Sequence, residues 1–278
     1  MTLQTALQQG TTILEKAAVP VARLTAEVLL CHAVRCDRSY LFAHATDELS
    51  ELAWIHYGRY LNERLTGKPT QYITRRQEFF GRDFFVNEHV LIPRPETEHL
   101  VEAALAFATR ADARRIIDVG AGSGAIAVSL ALELQRPVLA SDVSVAALAV
   151  AARNVRKHSA PVDLFACDLL EAVWPRSIDL LISNPPYVPG ADSANMQTEV
   201  RDWEPHVALF AGASGFEIYH RLIEQAAMVV RPGGRIYLEL GYRSLEGVRE
   251  MLVPQWTEFE VISDLAGWPR VIGATLAS

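Results

Sequence analysis

Two short runs in this 278-residue chain combine residue types and spacings that can do chemistry. The first is Asp118-Val119-Gly120-Ala121-Gly122-Ser123-Gly124, a glycine turn between a stretch that reads as a strand and one that reads as a helix. Glycine lets the backbone turn sharply and approach a ligand closely. The helix that follows presents N–H groups and the positive end of its dipole. Gly120, Gly122 and Ala125 also satisfy the dinucleotide fingerprint in its G/A form, so the run alone does not choose a ligand, and a glycine turn with no ligand is a further reading. Asp118 sharpens the choice, because a carboxylate beside the turn suits a ligand ammonium group and repels pyrophosphate. Asp142 ends the next strand, 142 − 124 = 18 residues beyond Gly124. An acid there can accept hydrogen bonds from both ribose hydroxyls, which fits a nicotinamide dinucleotide and S-adenosylmethionine alike. Asp168, at the end of the third strand, can bond an adenine amino group directly or through its loop; a helix cap or a turn is the alternative role for either acid.

The second run is Asn184-Pro185-Pro186-Tyr187, at the end of the fourth strand and on the same edge as the glycine turn. Its plain reading is a proline turn that stops the strand. Its chemical reading is methyl transfer to nitrogen. An amide or aromatic amine nitrogen is a poor nucleophile because its lone pair is delocalised. The Asn184 side-chain oxygen and the Pro185 carbonyl form a neutral acceptor pair that can hold both N–H groups, aim the lone pair at a sulfonium methyl and support the positive charge that develops. Pro185 and Pro186 fix the backbone, and Tyr187 can lie flat against a planar amide. No strong base is required, since the proton becomes acidic once the nitrogen is alkylated.

These runs need a scaffold, and the remaining pattern supplies one. Residues 1–66 read as helices, with apolar stripes through Ala6, Ile13 and Leu14 and through Leu24, Val28 and Leu29, parted by Pro20. Gln71-Tyr72-Ile73 reads as a short β-like piece. Residues 78–86 read as two aromatic strands around a tight turn, with Phe79, Phe80, Phe84 and Phe85 as hairpin core. From residue 96 helices and strands alternate: helices over 98–110, 125–134, 145–158 and 215–231, strands over 115–119, 138–141, 162–166, 178–182 and 235–240. The alternation predicts an open, mostly parallel α/β sheet with ligands at the carboxyl ends of its strands. The tail pieces 259–262 and 270–274 are too close for a crossover helix, so they predict an antiparallel edge pair. The expected organisation is a helical domain over 1–70, a β-hairpin linker over 71–92 and an α/β domain over 93–278.

Composition bounds the partners. Residues 1–90 hold 10 basic and 10 acidic side chains, residues 91–278 hold 16 and 23, and the formal charge is 26 − 33 = −7. An acidic chain is a poor bulk nucleic-acid binder, because phosphate contacts need a cationic surface. Three cysteines make no disulfide framework, and Cys31, His32 and Cys36 lie in an apolar-striped helix without a second ligand pair at zinc spacing, which reads as core packing and no metal site. No stretch reaches the ~18 apolar residues of a membrane span. The expectation is a reduced, cytoplasmic, monomeric enzyme.

With these residues in view, the chain resembles the bacterial release-factor glutamine methyltransferases of the HemK type. The likeness is carried by Gln71-Tyr72-Ile73, by Val90-Leu91-Ile92-Pro93-Arg94-Pro95-Glu96-Thr97-Glu98, by 118–126 with Asp142, by Asn184 to Tyr187, by Glu204-Pro205 and Ala208-Leu209-Phe210, and by Asp264-Leu265-Ala266-Gly267 with Pro269-Arg270. Asn-Pro-Pro-Tyr is shared with DNA adenine methyltransferases; the Ile-Pro-Arg-Pro-Glu-Thr-Glu run is more specific. The resemblance implies a Rossmann-like class I methyltransferase domain, with a seven-stranded, mostly parallel sheet and an antiparallel edge. It implies S-adenosyl-L-methionine as donor and class 1 peptide chain release factors as protein substrate, methylated at N5 of the glutamine in their Gly-Gly-Gln motif, with the helical domain helping to dock them. It places the cofactor loop on Gly120, Ala121, Gly122, Ser123 and Gly124, the ribose carboxylate on Asp142, a further cofactor contact at Leu169 after Asp168, and the substrate amide clamp on Asn184 to Tyr187. A cousin group acts on a ribosomal protein, and Pro95-Glu96-Thr97-Glu98 favours the release-factor branch. A nicotinamide-dependent oxidoreductase and a non-enzymatic nucleotide-sensing module are the rivals from other classes.

Overall fold

In the first part of the chain apolar stripes close on one another. The computed structural model describes residues 1–278, the side chain of Asn195 excepted, and groups them in two units: 1–76 with 197–203, and 77–196 with 204–278. In the first unit α1 (Leu3–Lys16) starts where the Thr2 hydroxyl accepts the Thr5 N–H, α3 (Arg38–Ala43) where Asp37 does this for Tyr40, and α4 (Glu51–Leu65) where Ser50 does it for Ala53. Each is a side-chain N-cap for an otherwise unpaired helix donor. Pro20 lies between α1 and α2 (Ala22–Val34). Leu7 and Leu14, Leu29 and Leu30, and Tyr57 and Leu61 bury into one cluster. Gly10 makes the close approach of α1 to α4: a Cβ there would lie 1.9 Å from the Tyr57 hydroxyl. The predicted β-like piece at 71–73 is instead a helical turn, α5 (Thr70–Thr74), in which Ile73 N donates to Pro69 O. Burial of Tyr72 and Ile73 decided the matter, since β-propensity over three residues yields to packing.

The second unit opens with the predicted hairpin, β1 (Gln77–Phe79) and β2 (Arg82–Phe84), whose turn residues Phe80 and Gly81 both take positive φ. Such φ values match the twist of paired strands. Phe79 and Phe84 meet edge to face and bury, while Phe85 lies under the Arg153 guanidinium. The hairpin groups with this unit, whereas residues 71–76 group with the helices. Then follow α6 (Glu98–Arg110), β3 (Ile116–Val119), α7 (Ala125–Leu134), β4 (Val138–Asp142), α8 (Val145–His158), β5 (Val162–Ala166), β6 (Ile178–Ser183) and β7 (Val188–Pro189). The chain next gives α9 (Thr198–Trp203) to the first unit, where Glu199 pairs with the buried Arg64 guanidinium. It continues through α10 (His206–Leu209), β8 (Phe210–Gly212), α11 (Glu217–Val229), β9 (Val230–Glu239), α12 (Leu245–Leu252), β10 (Trp256–Ser263) and β11 (Pro269–Leu276).

Seven strands form one sheet in the order β10-β11-β9-β6-β3-β4-β5. The five from β9 to β5 run parallel, and β11 and β10 add antiparallel neighbours, as the short tail spacing predicted. Apolar clusters cover both faces, so the central strands read as unbroken apolar runs. The order turns at β3, with β4 on one side and β6 on the other, and a crevice at such a switch point is where open α/β sheets bind ligands. Three features depart from expectation: strands β7 and β8, which pair parallel in a small separate sheet, were not foreseen. Strand β9 starts at Val230 rather than 235, because an irregular pairing with β6 between Ile178 and Leu180 absorbs Gly233-Gly234. Helices α9, α10 and α12 were not anticipated; α9 and α10 are too short to show a period.

Replacing Gly10 with alanine is expected to destabilise the helical unit by about 1–3 kcal/mol, because the new methyl would force the fully buried Tyr57 ring to shift. Urea unfolding followed by circular dichroism measures this, and an unchanged midpoint would contradict it.

Candidate active site

The glycine loop is held from the neighbouring strand. Gly120 N and Ala121 N both donate to Ser141 O of β4, at 2.8 and 2.9 Å. Gly122 N donates to Asp142 Oδ2 and Ser144 N to Asp142 Oδ1, each at 2.8 Å. One carboxylate thus ties the loop after β3 to the turn after β4 and keeps further lone pairs turned to the cleft it lines. Burial raises the Asp142 carboxyl above its ordinary range, against the two backbone donors that lower it. Gly120, Gly122 and Gly124 all take positive φ. A Cβ at Gly120 or Gly122 would meet nothing within 4 Å, whereas one at Gly124 would press on Ala151 of α8 at 3.2 Å. The first two glycines therefore border open space, and the third brings two helices together. The cleft holds about 1070 Å³ of empty space, its mouth included.

Asp118 faces away from that space. It is fully buried, its Oδ2 accepts the Ala127 N–H in the first turn of α7 at 3.1 Å, and its Oδ1 has no partner among the described residues. Desolvation pushes it up to about 7, with the nearby Asp142 charge adding to the rise. Asp168 lines the cleft while pairing with Arg221 at 2.7 Å, and Leu169 beside it takes φ +51 while its carbonyl accepts a hydrogen bond from Ser141 Oγ.

At the end of β6, Ser183 Oγ donates to Val119 O at 2.7 Å, which fixes this strand end to that of β3. Asn184 and Pro186 line the cleft. Pro185 is buried behind them, and the Tyr187 ring lies over Gly241, where a Cβ would come within 2.7 Å of it. Asn184 Nδ2 donates to Thr97 Oγ1 at 3.3 Å. Pro93 and Arg94 line the same cleft. Glu204, nearly inaccessible, accepts the Ile92 N–H at 3.2 Å and pairs with Arg94, so one acid holds both sides of the Pro93 turn. Of the predicted residues, Gly120 to Ser123, Asp142, Asp168, Leu169, Asn184 and Pro186 line one cleft, whereas Asp118, Gly124, Pro185 and Tyr187 are not among its lining residues.

Thr97 and Glu204 have evident roles in this geometry and had none assigned from sequence, whereas Glu239, buried at the end of β9, read there as able to reach the site or to serve as a cap or salt-bridge partner. Thr97 and Glu204 lay inside runs that carried the family likeness, which was the only signal for them. Glu239 had a sharper one, a carboxylate at a strand's carboxyl end, but the adjacency of β9 and β6 was not readable.

Strand order, glycine loop and cleft define a class I methyltransferase fold. A methyltransferase from Pyrococcus furiosus shares it, with a TM-score of 0.54 at 18% identity over 72% of this chain and 91% of that one. Residues 5–74 match the PrmC N-terminal domain and residues 97–200 the methyltransferase small domain. The release factor glutamine methyltransferase of Koribacter versatilis is 44% identical over 274 residues, 98% of both chains. That of Nitratidesulfovibrio vulgaris is 40% identical over 98% of this chain and 95% of its own. The chain belongs to the release factor glutamine methyltransferase family.

Asp118 titrates near 7 when folded and near 3.8 when free. Between those values the folded state holds a proton the unfolded state lacks, so this group's contribution to stability rises as pH falls from about 8 toward 4. Compared with an Asp118→Asn variant, the wild-type protein should lose stability as pH rises through 7. Urea unfolding of both proteins at several pH values tests this; a difference that does not change with pH would refute it.

Proposed function

We propose that this enzyme methylates N5 of the glutamine in the Gly-Gly-Gln motif of class 1 peptide chain release factors, with S-adenosyl-L-methionine as donor. The observation that carries the reading is the meeting, in one cleft, of Asn184 from the end of β6, the glycine loop from the end of β3 and Asp142 from the end of β4. The relatives, which are release factor glutamine methyltransferases, support the substrate class.

The residues fit the donor on three counts. Open space above Gly120 and Gly122 lets a ligand touch the backbone. Asp142 is already oriented by two N–H groups, so its remaining lone pairs are fixed acceptors for a pair of ribose hydroxyls. Asp118, buried behind the loop with its Oδ1 unpartnered among the described residues, acts at a distance: a positive charge in the cleft would favour its ionised form. When bound, S-adenosyl-L-methionine supplies an electrophilic sulfonium methyl.

The chain's own part is positioning. The Asn184 Oδ1 and the Pro185 carbonyl accept the two N–H groups of the substrate carboxamide, turning its nitrogen lone pair toward the methyl carbon. The same acceptors stabilise the positive charge that grows on nitrogen, which is where preorganised dipoles contribute most. The proton released after transfer leaves from an alkylated nitrogen, so no basic side chain has to remove it beforehand. The Pro185–Pro186 pair, with Pro185 buried, keeps the acceptors from recoiling. Pro93 and Arg94, braced by Glu204, also bound the cleft.

With labelled donor and a purified release factor, label is expected on the Gly-Gly-Gln glutamine; none at that residue would defeat the assignment. Asn184→Ala should lower kcat by about 10²–10³-fold while leaving the donor Kd within about twofold. Asp142→Ala should raise the donor Kd by at least about tenfold, by removing charged acceptors and releasing the loop. Calorimetry with the donor, alongside NAD as a control, reads the second effect directly; an unchanged Kd would remove Asp142 from the binding site.

A further inference from the structure

Beside Asn184 stands a carboxylate that the proposed chemistry does not use. Strands β6 and β9 are parallel neighbours with Ser183 opposite Leu238. Asn184 and Glu239 each come one residue later and so stand abreast. The Glu239 side chain is 4% exposed, and its Oε2 has no hydrogen-bond partner among the described residues. Thr97 and Asn184 both stand near enough to its carboxylate to favour the ionised form, and Asn184 Nδ2 donates to Thr97 Oγ1. The main chain at this point is fixed as well: the fully buried Tyr219 donates its hydroxyl to Glu239 O at 2.6 Å and accepts the Gly241 N–H at 3.3 Å.

An ionised carboxylate accepts hydrogen bonds and donates none. Asn184 has an oxygen and an NH₂ of nearly equal size, and only one orientation presents the oxygen to a substrate N–H. With the NH₂ against Thr97 and Glu239, that oxygen faces away from them. Flipping the amide would set its oxygen against a buried carboxylate and lose its donor bond to Thr97. We propose that Glu239 is a positioning residue, whose buried carboxylate sorts the two ends of the Asn184 amide and keeps the oxygen aimed at the substrate carboxamide. The proposal rests on the methyl-transfer reading of Asn184.

Protonation would reverse the sorting, because a carboxylic acid donates a hydrogen bond that the Asn184 oxygen can accept. Desolvation raises Glu239 to about 7, and the nearby Glu96 adds to the rise; the Thr97 and Asn184 side chains and the Arg270 charge act in the opposite sense. The other titratable groups that sense it are Tyr187 and Tyr219, both raised by burial. The acceptor is therefore present above about pH 7 and is lost as pH falls through that value.

Two measurements test this. In ¹⁵N spectra the Asn184 side-chain amide signals, assigned by their disappearance in Asn184→Ala, should titrate with a midpoint near 7 between about pH 5.5 and 8.5, and Glu239→Gln should abolish that titration. Flat signals in the wild-type protein, or the same titration in the Gln variant, would overturn the proposal without reference to any substrate. In turnover assays on a release factor, Glu239→Ala should lower kcat about 10–100-fold with KM and the donor Kd within about threefold. Glu239→Gln, which keeps an acceptor oxygen and the same shape, should recover kcat to within about fivefold and lose the acidic limb of the pH profile. A folded, donor-binding Ala variant with wild-type kcat, or a Gln variant as slow as Ala, would sink it. Failure of the wild-type enzyme to label the release factor would instead defeat the substrate assignment, with the amide titration still judging Glu239.

Discussion

The site depends on a single carboxylate that accepts two backbone N–H groups from different turns. Asp142 takes Gly122 N with one oxygen and Ser144 N with the other. The first bond sets the height of the glycine loop over the end of β3, and the second closes the turn into α8. Because β3 and β4 are adjacent parallel strands, an acid at the end of one reaches the loop of the other without any long connection. Loop and acid then move as one body, which is what a ligand contacting both requires. The glycines follow from this constraint: their positive φ values are what the loop must adopt to bring Gly122 N to the carboxylate.

Across the sheet's switch point the logic is one of burial. Asp118 and Glu239 are carboxyl groups that water barely reaches, at the carboxyl ends of β3 and β9. Each is raised toward neutrality mainly by desolvation, and each keeps an oxygen without a partner among the described residues. Groups of this kind are costly in a fold and are concentrated where binding or chemistry makes use of them. Here they back the two halves of one cleft. Glu204 differs in kind, since its carboxylate is met by Arg94 and by the Ile92 N–H, and it serves to hold a proline-rich wall.

Much of this was legible along the chain. The alternation of apolar strands with helical periods marked the α/β sheet, and the short spacing of the tail pieces marked the antiparallel edge. The aromatic strands over 78–86 marked the hairpin, but Phe80, read as part of its core, instead takes a turn position with positive φ. The glycine loop, Asp142 and Asn184 each sat at a strand end, which is a statement about local sequence only. The short helix α5 was misread as β-like because three residues, Gln71, Tyr72 and Ile73, carry no period, and its outcome was decided by what Tyr72 and Ile73 could bury against.

The sequence by itself therefore determined the kinds of elements, the strand ends that carry reactive groups and the family to which they belong. The tertiary structure alone decided which of those ends are neighbours. It set Glu239 beside Asn184, brought Thr97 under the same amide from a turn 184 − 97 = 87 residues earlier, and turned Asp118 inward to the start of α7. The reason is physical: periodicity records how a residue faces its own element, while strand order is settled by packing both faces of the sheet at once, through contacts that no local window contains.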